Sequence, residues 1–157
     1  MKIYLMRHGH SPSLLEAGTH SDAQRPLSQA GRIEVRKSAR LLLAGGAKPG
    51  LILTSPLKRA LQTAQEAAAL LKNPEVRVYE PLANILPGMD LARKVLQAEW
   101  PGGELLLIGH MPQIGEAASF LAGSPISFSP ACFAAFSIDA EGKSSLLFTG
   151  SPDDAPG

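Results

Sequence analysis

Short apolar runs that stop at charged or imidazole residues alternate along this chain with stretches of helical period. Ile3 to Met6 ends abruptly at Arg7-His8-Gly9, the pattern of a buried strand running into a loop. Leu14 to Gln24 is small or polar, has no period, and reads as loop. Ser28 then stands as N-cap before good helix formers that continue through Leu43 and stop at Gly45-Gly46. Leu51 to Thr54 is a second strand. Ser55-Pro56 behind it has the chemistry of an N-cap and first helical position. Leu57, Leu61, Ala64, Ala68 and Leu71 recur at spacings of four and three, which puts one stripe of the following helix against a core.

Val76 to Tyr79 alternates as an edge strand does, and Leu91 to Trp100 is helical up to Pro101-Gly102-Gly103. Leu105 to Ile108 is another strand, flowing through Gly109-His110-Met111-Pro112 into a helix over Ile114 to Leu121. Phe133 to Ile138 and Ser144 to Phe148 flank Asp139 to Gly142, a connection of hairpin length. Strands alternating with helices predict a three-layer α/β fold, its mostly parallel central sheet flanked by helices and ending in a C-terminal antiparallel hairpin. One domain is expected over 1–150. Residues 151–157 lack an apolar anchor and are expected to fray.

Composition removes several classes of function. The chain has 157 residues, 45% of them apolar, and Lys plus Arg exceed Asp plus Glu by only 15 to 14. That balance nominates neither nucleic acid nor an anionic membrane as partner. A single cysteine, Cys132, allows no internal disulfide and no thiolate metal cage. No apolar run is long enough for a signal peptide or a membrane span, so a cytoplasmic protein is expected.

Three strand tips carry the chemistry. In an open α/β sheet ligands bind beyond the carboxyl ends of the strands, so Arg7-His8, the segment Ser55 to Arg59, and Gly109-His110 are expected to meet at one edge. Two guanidinium groups beside two imidazoles repel a cation, and no carboxylate accompanies the histidines at ligand spacing; no metal and no cofactor is expected. The same set suits phosphate, whose oxygens match guanidinium forks, and Arg59 falls in the first turn of a helix whose N-terminus favours negative charge.

Arg7-His8-Gly9, Ser55-Pro56-Leu57-Lys58-Arg59-Ala60-Leu61-Gln62-Thr63-Ala64 and Gly109-His110-Met111-Pro112 together resemble the histidine phosphatase (phosphoglycerate-mutase-like) superfamily, in the family's order and over nearly the whole chain. The short length and Arg25-Pro26-Leu27-Ser28 resemble its SixA-type phosphohistidine phosphatases. The resemblance implies that His8 attacks phosphorus to form a phosphohistidine intermediate, with Arg7, Arg59 and His110 stabilising the oxygens. It implies substrate contacts from Arg7, Gly9, Arg25 and Arg59. Mutase members carry Glu, a hydroxyl residue and Asn after Arg-His-Gly, where this chain has His10, Ser11 and Leu14. A sugar-phosphate mutase is therefore disfavoured. Only 16 residues separate His8 from Arg25, too few for the insertions that cap mutase sites, so an open pocket for a phosphorylated protein is expected.

For the proton donor, the family's pattern directs attention to Glu80 and Asp90, neither assignable from sequence. A P–N bond to imidazole asks less of an acid. Beside these stand structural readings: His10 and His20 as ordinary polar residues, Arg25 as a surface arginine, Ser55 as an N-cap, Cys132 as core. Three functions follow: hydrolysis of phosphohistidine on a signalling or phosphotransfer protein, hydrolysis of small phosphoesters with broad specificity, or phosphate binding without turnover.

Overall fold

The computed structural model describes residues 1–156. Its strands are β1 (Lys2–Arg7), β2 (Leu51–Thr54), β3 (Glu75–Val78), β4 (Glu104–Gly109), β5 (Phe133–Ile138) and β6 (Ser144–Gly150). They form one sheet in the order β3-β2-β4-β1-β5-β6. The pairs β1–β4, β2–β4 and β2–β3 are parallel, while β1–β5 and β5–β6 are antiparallel. Five helices cover it: α1 (Leu14–Ala17), α2 (Gln29–Ala44), α3 (Lys58–Leu70), α4 (Gly88–Gln97) and α5 (Gln113–Ala122). The expected three-layer α/β architecture with a terminal hairpin is what the chain adopts.

The central strands read as unbroken apolar runs because both their faces are covered. Along β1, Ile3 and Leu5 join a core with Leu91 and Val95 of α4 and Ile114 and Leu121 of α5. Tyr4 and Met6 face the other way, into a core with Val35 and Leu42 of α2 and Ala60, Ala64 and Ala67 of α3. Each fully buried side chain of this size contributes about 1.5–3 kcal/mol. Two cores on one sheet fix its register, since a slip of one residue would exchange them. In that register Arg7 lies beside Gly109 and Thr54 beside Ile108, so β1, β2 and β4 end at the same edge. β3, exposed along its whole length, is the expected edge strand.

Four details differ from the sequence reading. The segment expected to be loop contains α1, stapled by a reciprocal Ser13–Glu16 capping box, and a 3-10 turn at Asp22–Gln24. Ser28 caps α2 as expected, its Oγ accepting the Gly31 N–H, but Ser55 does not cap α3: that helix begins at Lys58, and Leu57 stands at its N-cap without a side-chain bond. α4 stops at Gln97, so Trp100 lies outside it; there the indole Nε1 donates to the Val95 carbonyl at 2.9 Å. After Gly150 the chain does not fray at once. Pro152–Asp154 form a 3-10 turn packed on α2, with Pro152 buried and Ser151 as cap, while Gly157 lies outside the described residues.

Candidate active site

Beyond the carboxyl ends of β1, β2 and β4 opens a cavity of about 400 Å³, lined by Arg7, His8, Arg59 and His110 from the three strand tips. The rings of His8 and His110 lie 5.0 Å apart between centroids. His8 Nδ1 sits 2.7 Å from the Gly9 carbonyl oxygen, which can only accept. Nδ1 therefore carries the proton, and the lone pair is on Nε2. Burial is the main influence that drives the His8 pKa down to about 4; the Gly9 bond opposes it, and Arg59, Arg7 and Arg25 add to the lowering. His8 is thus a neutral imidazole at physiological pH.

His110 is held by Ser55. Ser55 Oγ accepts the Leu57 N–H at 3.2 Å and lies 2.7 Å from His110 Nε2. Its one hydroxyl proton finds an acceptor only if Nε2 is unprotonated, which places the His110 proton on Nδ1. Burial first, then His8 and Arg59, push the His110 pKa to about 3, against a small opposing pull from Asp22. Among the described residues three buried side-chain polar atoms have no protein partner: Arg7 Nε, Arg59 Nε and His110 Nδ1. All three belong to the pocket floor, and all three are donors. Such a convergence of unspent buried donors is what an oxyanion satisfies.

Protein acceptors orient the guanidinium groups. Arg7 Nη1 donates to the Phe128 carbonyl at 2.9 Å. Arg59 Nη1 donates to the Asp22 carbonyl at 2.8 Å and Nη2 to Asp22 Oδ2 at 3.0 Å. Asp22 also accepts from Arg25 Nε at 2.9 Å, while Arg25 Nη1 donates to the Pro12 carbonyl. Burial opposes ionisation of Asp22, but the hydrogen bonds from Arg25 and Arg59 outweigh it and hold the carboxyl below its usual range.

The structure brings Arg7, His8, Arg25, Arg59 and His110 to one cavity, and it leaves the remaining expected residues out. Glu80 and Asp90 are exposed and do not line it; Glu80 stands at the start of a 3-10 turn and Asp90 on the first turn of α4, outside the cavity. Gly9, expected to contact substrate, is absent from the cavity lining, and its N–H donates to Thr63 Oγ1 at 3.2 Å. Residues outside the expected set complete the cavity and its support. Asp22 sits on the rim, Thr63 Oγ1 donates to the Arg59 carbonyl while holding Gly9, and Asn84 reaches the cavity on a loop tied to Gln113. His10, read from sequence as an ordinary polar residue, lines the mouth. Only the hydroxyl of Ser55 and the spacing of Thr63 one turn after Arg59 were visible signals of this support. Among the described residues no three His, Cys, Asp or Glu converge as metal ligands, and no helix is long and apolar enough to cross a membrane.

The sequence matches the family model of the histidine phosphatase superfamily (branch 1) over residues 3–119, which include all four floor residues. The chain belongs to the histidine phosphatase superfamily. It is accordingly a phosphatase of the histidine type. Among relatives of this superfamily member, the phosphohistidine phosphatase SixA of Escherichia coli is 30% identical over 156 residues, 97% of this chain and 94% of that one. An uncharacterised protein of Picosynechococcus sp. is 36% identical over 126 residues, 78% of this chain and 73% of that protein. A solved structure of the protein histidine phosphatase SixA with tungstate superimposes with a TM-score of 0.86 at 25% identity, covering 98% of this chain and 99% of the other.

Proposed function

We propose that the protein hydrolyses phosphohistidine on another protein through a phosphoryl group carried transiently on His8 Nε2. The observation that carries the reading is the state of His8: neutral, buried, its Nδ1 proton anchored on the Gly9 carbonyl, its Nε2 lone pair free. Nε2 attacks phosphorus as the substrate's P–N bond breaks, and water then displaces His8 from the phosphoryl group. The Gly9 carbonyl steadies the cation that His8 becomes. Charge on the equatorial oxygens is met by the unspent donors of Arg7, Arg59 and His110 Nδ1, preorganised by Phe128, Asp22 and Ser55. Arg25 adds a third guanidinium at the rim.

A protein substrate is supported by the openness of the mouth and by the name of the SixA relatives. Between His8 and Arg25 the chain builds only α1 and one 3-10 turn, and His10 and Asp22, which this connection places on the rim, are exposed. Mixing the enzyme with a ³²P-phosphohistidine protein, quenching in alkali and mapping the label is expected to find it on His8. His8→Ala is expected to take up none and to lose activity by a factor on the order of 10⁴ or more. Label on any other residue overturns the nucleophile. Efficient turnover of a small ester, with the phosphohistidine protein left intact, overturns the substrate.

A further inference from the structure

We propose that His10 is the proton-transfer residue of this site, giving a proton from Nε2 to the departing group and then taking one from the attacking water. The inference rests on the phosphatase reading above and adds the partner that reading lacks. The carboxylates expected to serve as acid, Glu80 and Asp90, stand outside the cavity. The one carboxylate that does line it, Asp22, accepts from two guanidinium groups and stays ionised, so it has no proton to give. His110 is a neutral donor whose Nε2 is engaged by Ser55. Ser11 Oγ spends its proton on the Pro26 carbonyl at 2.7 Å, and Asn84 and the arginines do not exchange protons near neutrality. What is left on the cavity wall is an imidazole, the side chain whose charge ordinarily changes near neutral pH.

His10 is also held as a catalytic group must be. Its carbonyl accepts from the Ser28 N–H at 3.0 Å and from Ser28 Oγ at 3.2 Å, and its N–H donates to Glu34 Oε1 at 3.1 Å. In the imidazolium both ring nitrogens carry protons, so Nδ1–H donates to Ser28 Oγ at 2.7 Å and that hydroxyl's own proton goes to the His10 carbonyl. The side chain is thereby pinned through Nδ1–H to the N-cap of α2, and Nε2 is the nitrogen left to exchange a proton. Position along the reaction path agrees. His8 lies buried on the floor while His10 is exposed at the mouth, where the leaving group of an in-line displacement departs and where water then enters.

The protons balance over one cycle. In the first step the His8 Nε2–P bond forms, the substrate's P–N or P–O bond breaks, and its electron pair takes the proton from His10 Nε2. In the second, water loses a proton to His10 Nε2, its oxygen bonds phosphorus, and the P–N pair returns to His8. Phosphate leaves and His10 is again an imidazolium. The charged groups around it are Glu34 of α2, Glu16 of α1, Asp22 and Arg25 of the rim, and Arg7, Arg59 and the two neutral imidazoles of the floor.

The test is leaving-group dependence in His10→Gln. Against an alkyl phosphate, whose alkoxide cannot leave without a proton, kcat/KM is expected to fall about 10²-fold, with a far smaller loss against 4-nitrophenyl phosphate. Equal losses on the two esters, or none on either, overturn the role of His10 while the phosphatase reading stands. A wild-type enzyme that turns over neither ester nor a phosphohistidine protein overturns both. Should His10→Gln melt below assay temperature, His10→Asn is compared on the same two esters, where a selective loss on the alkyl phosphate supports the role and equal losses overturn it.

Discussion

Arg59 and Asp22 touch each other across the pocket, yet they belong to two different kinds of structure. Arg59, 8% exposed at its side chain, rises from the second residue of a 13-residue helix packed on the sheet. Asp22, 58% exposed, sits in a three-residue 3-10 turn in the connection between β1 and α2. The same division holds throughout the site. The floor, with Arg7, His8, Arg59 and His110, is set by strand ends and is desolvated, so its charges and hydrogen bonds act in a low dielectric and its imidazoles are forced neutral. The rim, with His10, Asp22 and Arg25, is wet, and its interactions are screened. On the proposed function, stabilisation of the reacting phosphoryl group belongs to the floor, while access and proton exchange with solvent belong to the rim.

Arg59→Lys probes that division most sharply. It keeps one charge but removes the fork that meets both Asp22 and a phosphoryl oxygen, and kcat is expected to drop by about 10²–10³-fold with the fold intact. A loss of only a few-fold would show that the floor works by charge alone.

Next in size is the acid sensitivity of the fold. His8 and His110 titrate at about 4 and about 3 when folded, but near their ordinary value of 6.5 when unfolded. The unfolded chain binds the extra protons, so stability is full above the ordinary value and declines as pH falls toward 4, by an amount on the order of 2–3 kcal/mol per imidazole. The lowered carboxyl of Asp22 works in the same direction at lower pH, discounted for its exposure. Calorimetric melting between pH 7 and 4.5 should show this decline, and His8→Ala should flatten it. An unchanged pH slope in that variant would place the His8 ring in water rather than in the floor.

The smallest effect is expected at Asp22→Asn. The Asp22 carbonyl that accepts from Arg59 Nη1 survives the substitution, and the carboxylate shared by the two ion pairs lost is exposed. Unfolding free energy should move by less than about 1 kcal/mol, and kcat/KM by less than about tenfold. If Asp22→Asn proves as damaging as Arg59→Lys, rim and floor are one unit.

That contrast also explains what could be read from the chain alone. The floor lies within contiguous motifs at the ends of apolar runs, so period and strand-tip chemistry located Arg7, His8, Arg59 and His110, and the parallel register of β1, β2 and β4 brought them together. The rim depends on where aperiodic segments come to rest, which no local pattern encodes. Asp22 had no signal beyond its type, and Ser55 carried the wrong one, because Ser-Pro favours an N-cap while the observed Oγ faces His110. Pro152 was missed for a related reason: it is buried by α2, more than a hundred residues earlier in the chain. His10 followed Arg-His-Gly in plain view, but its role depends on Ser28, 18 positions away.

One contact behind the floor sets a limit on what can vary. A methyl group added at Gly9 would lie 2.8 Å from both the Gly31 carbonyl oxygen and Val35 Cγ2, and one added at Gly31 would run into the backbone of His10. Loop and helix backbones meet there directly, with Val35 packed against the crossing. A substitution at either glycine runs into backbone, the Gly31 carbonyl in one case and His10 in the other, which no change of side chain removes. Directed evolution of this enzyme toward new substrates should therefore accumulate changes from Ser11 outward and from Ala83 to Leu86, and leave this crossing untouched; libraries that randomise Gly9 or Gly31 should return glycine.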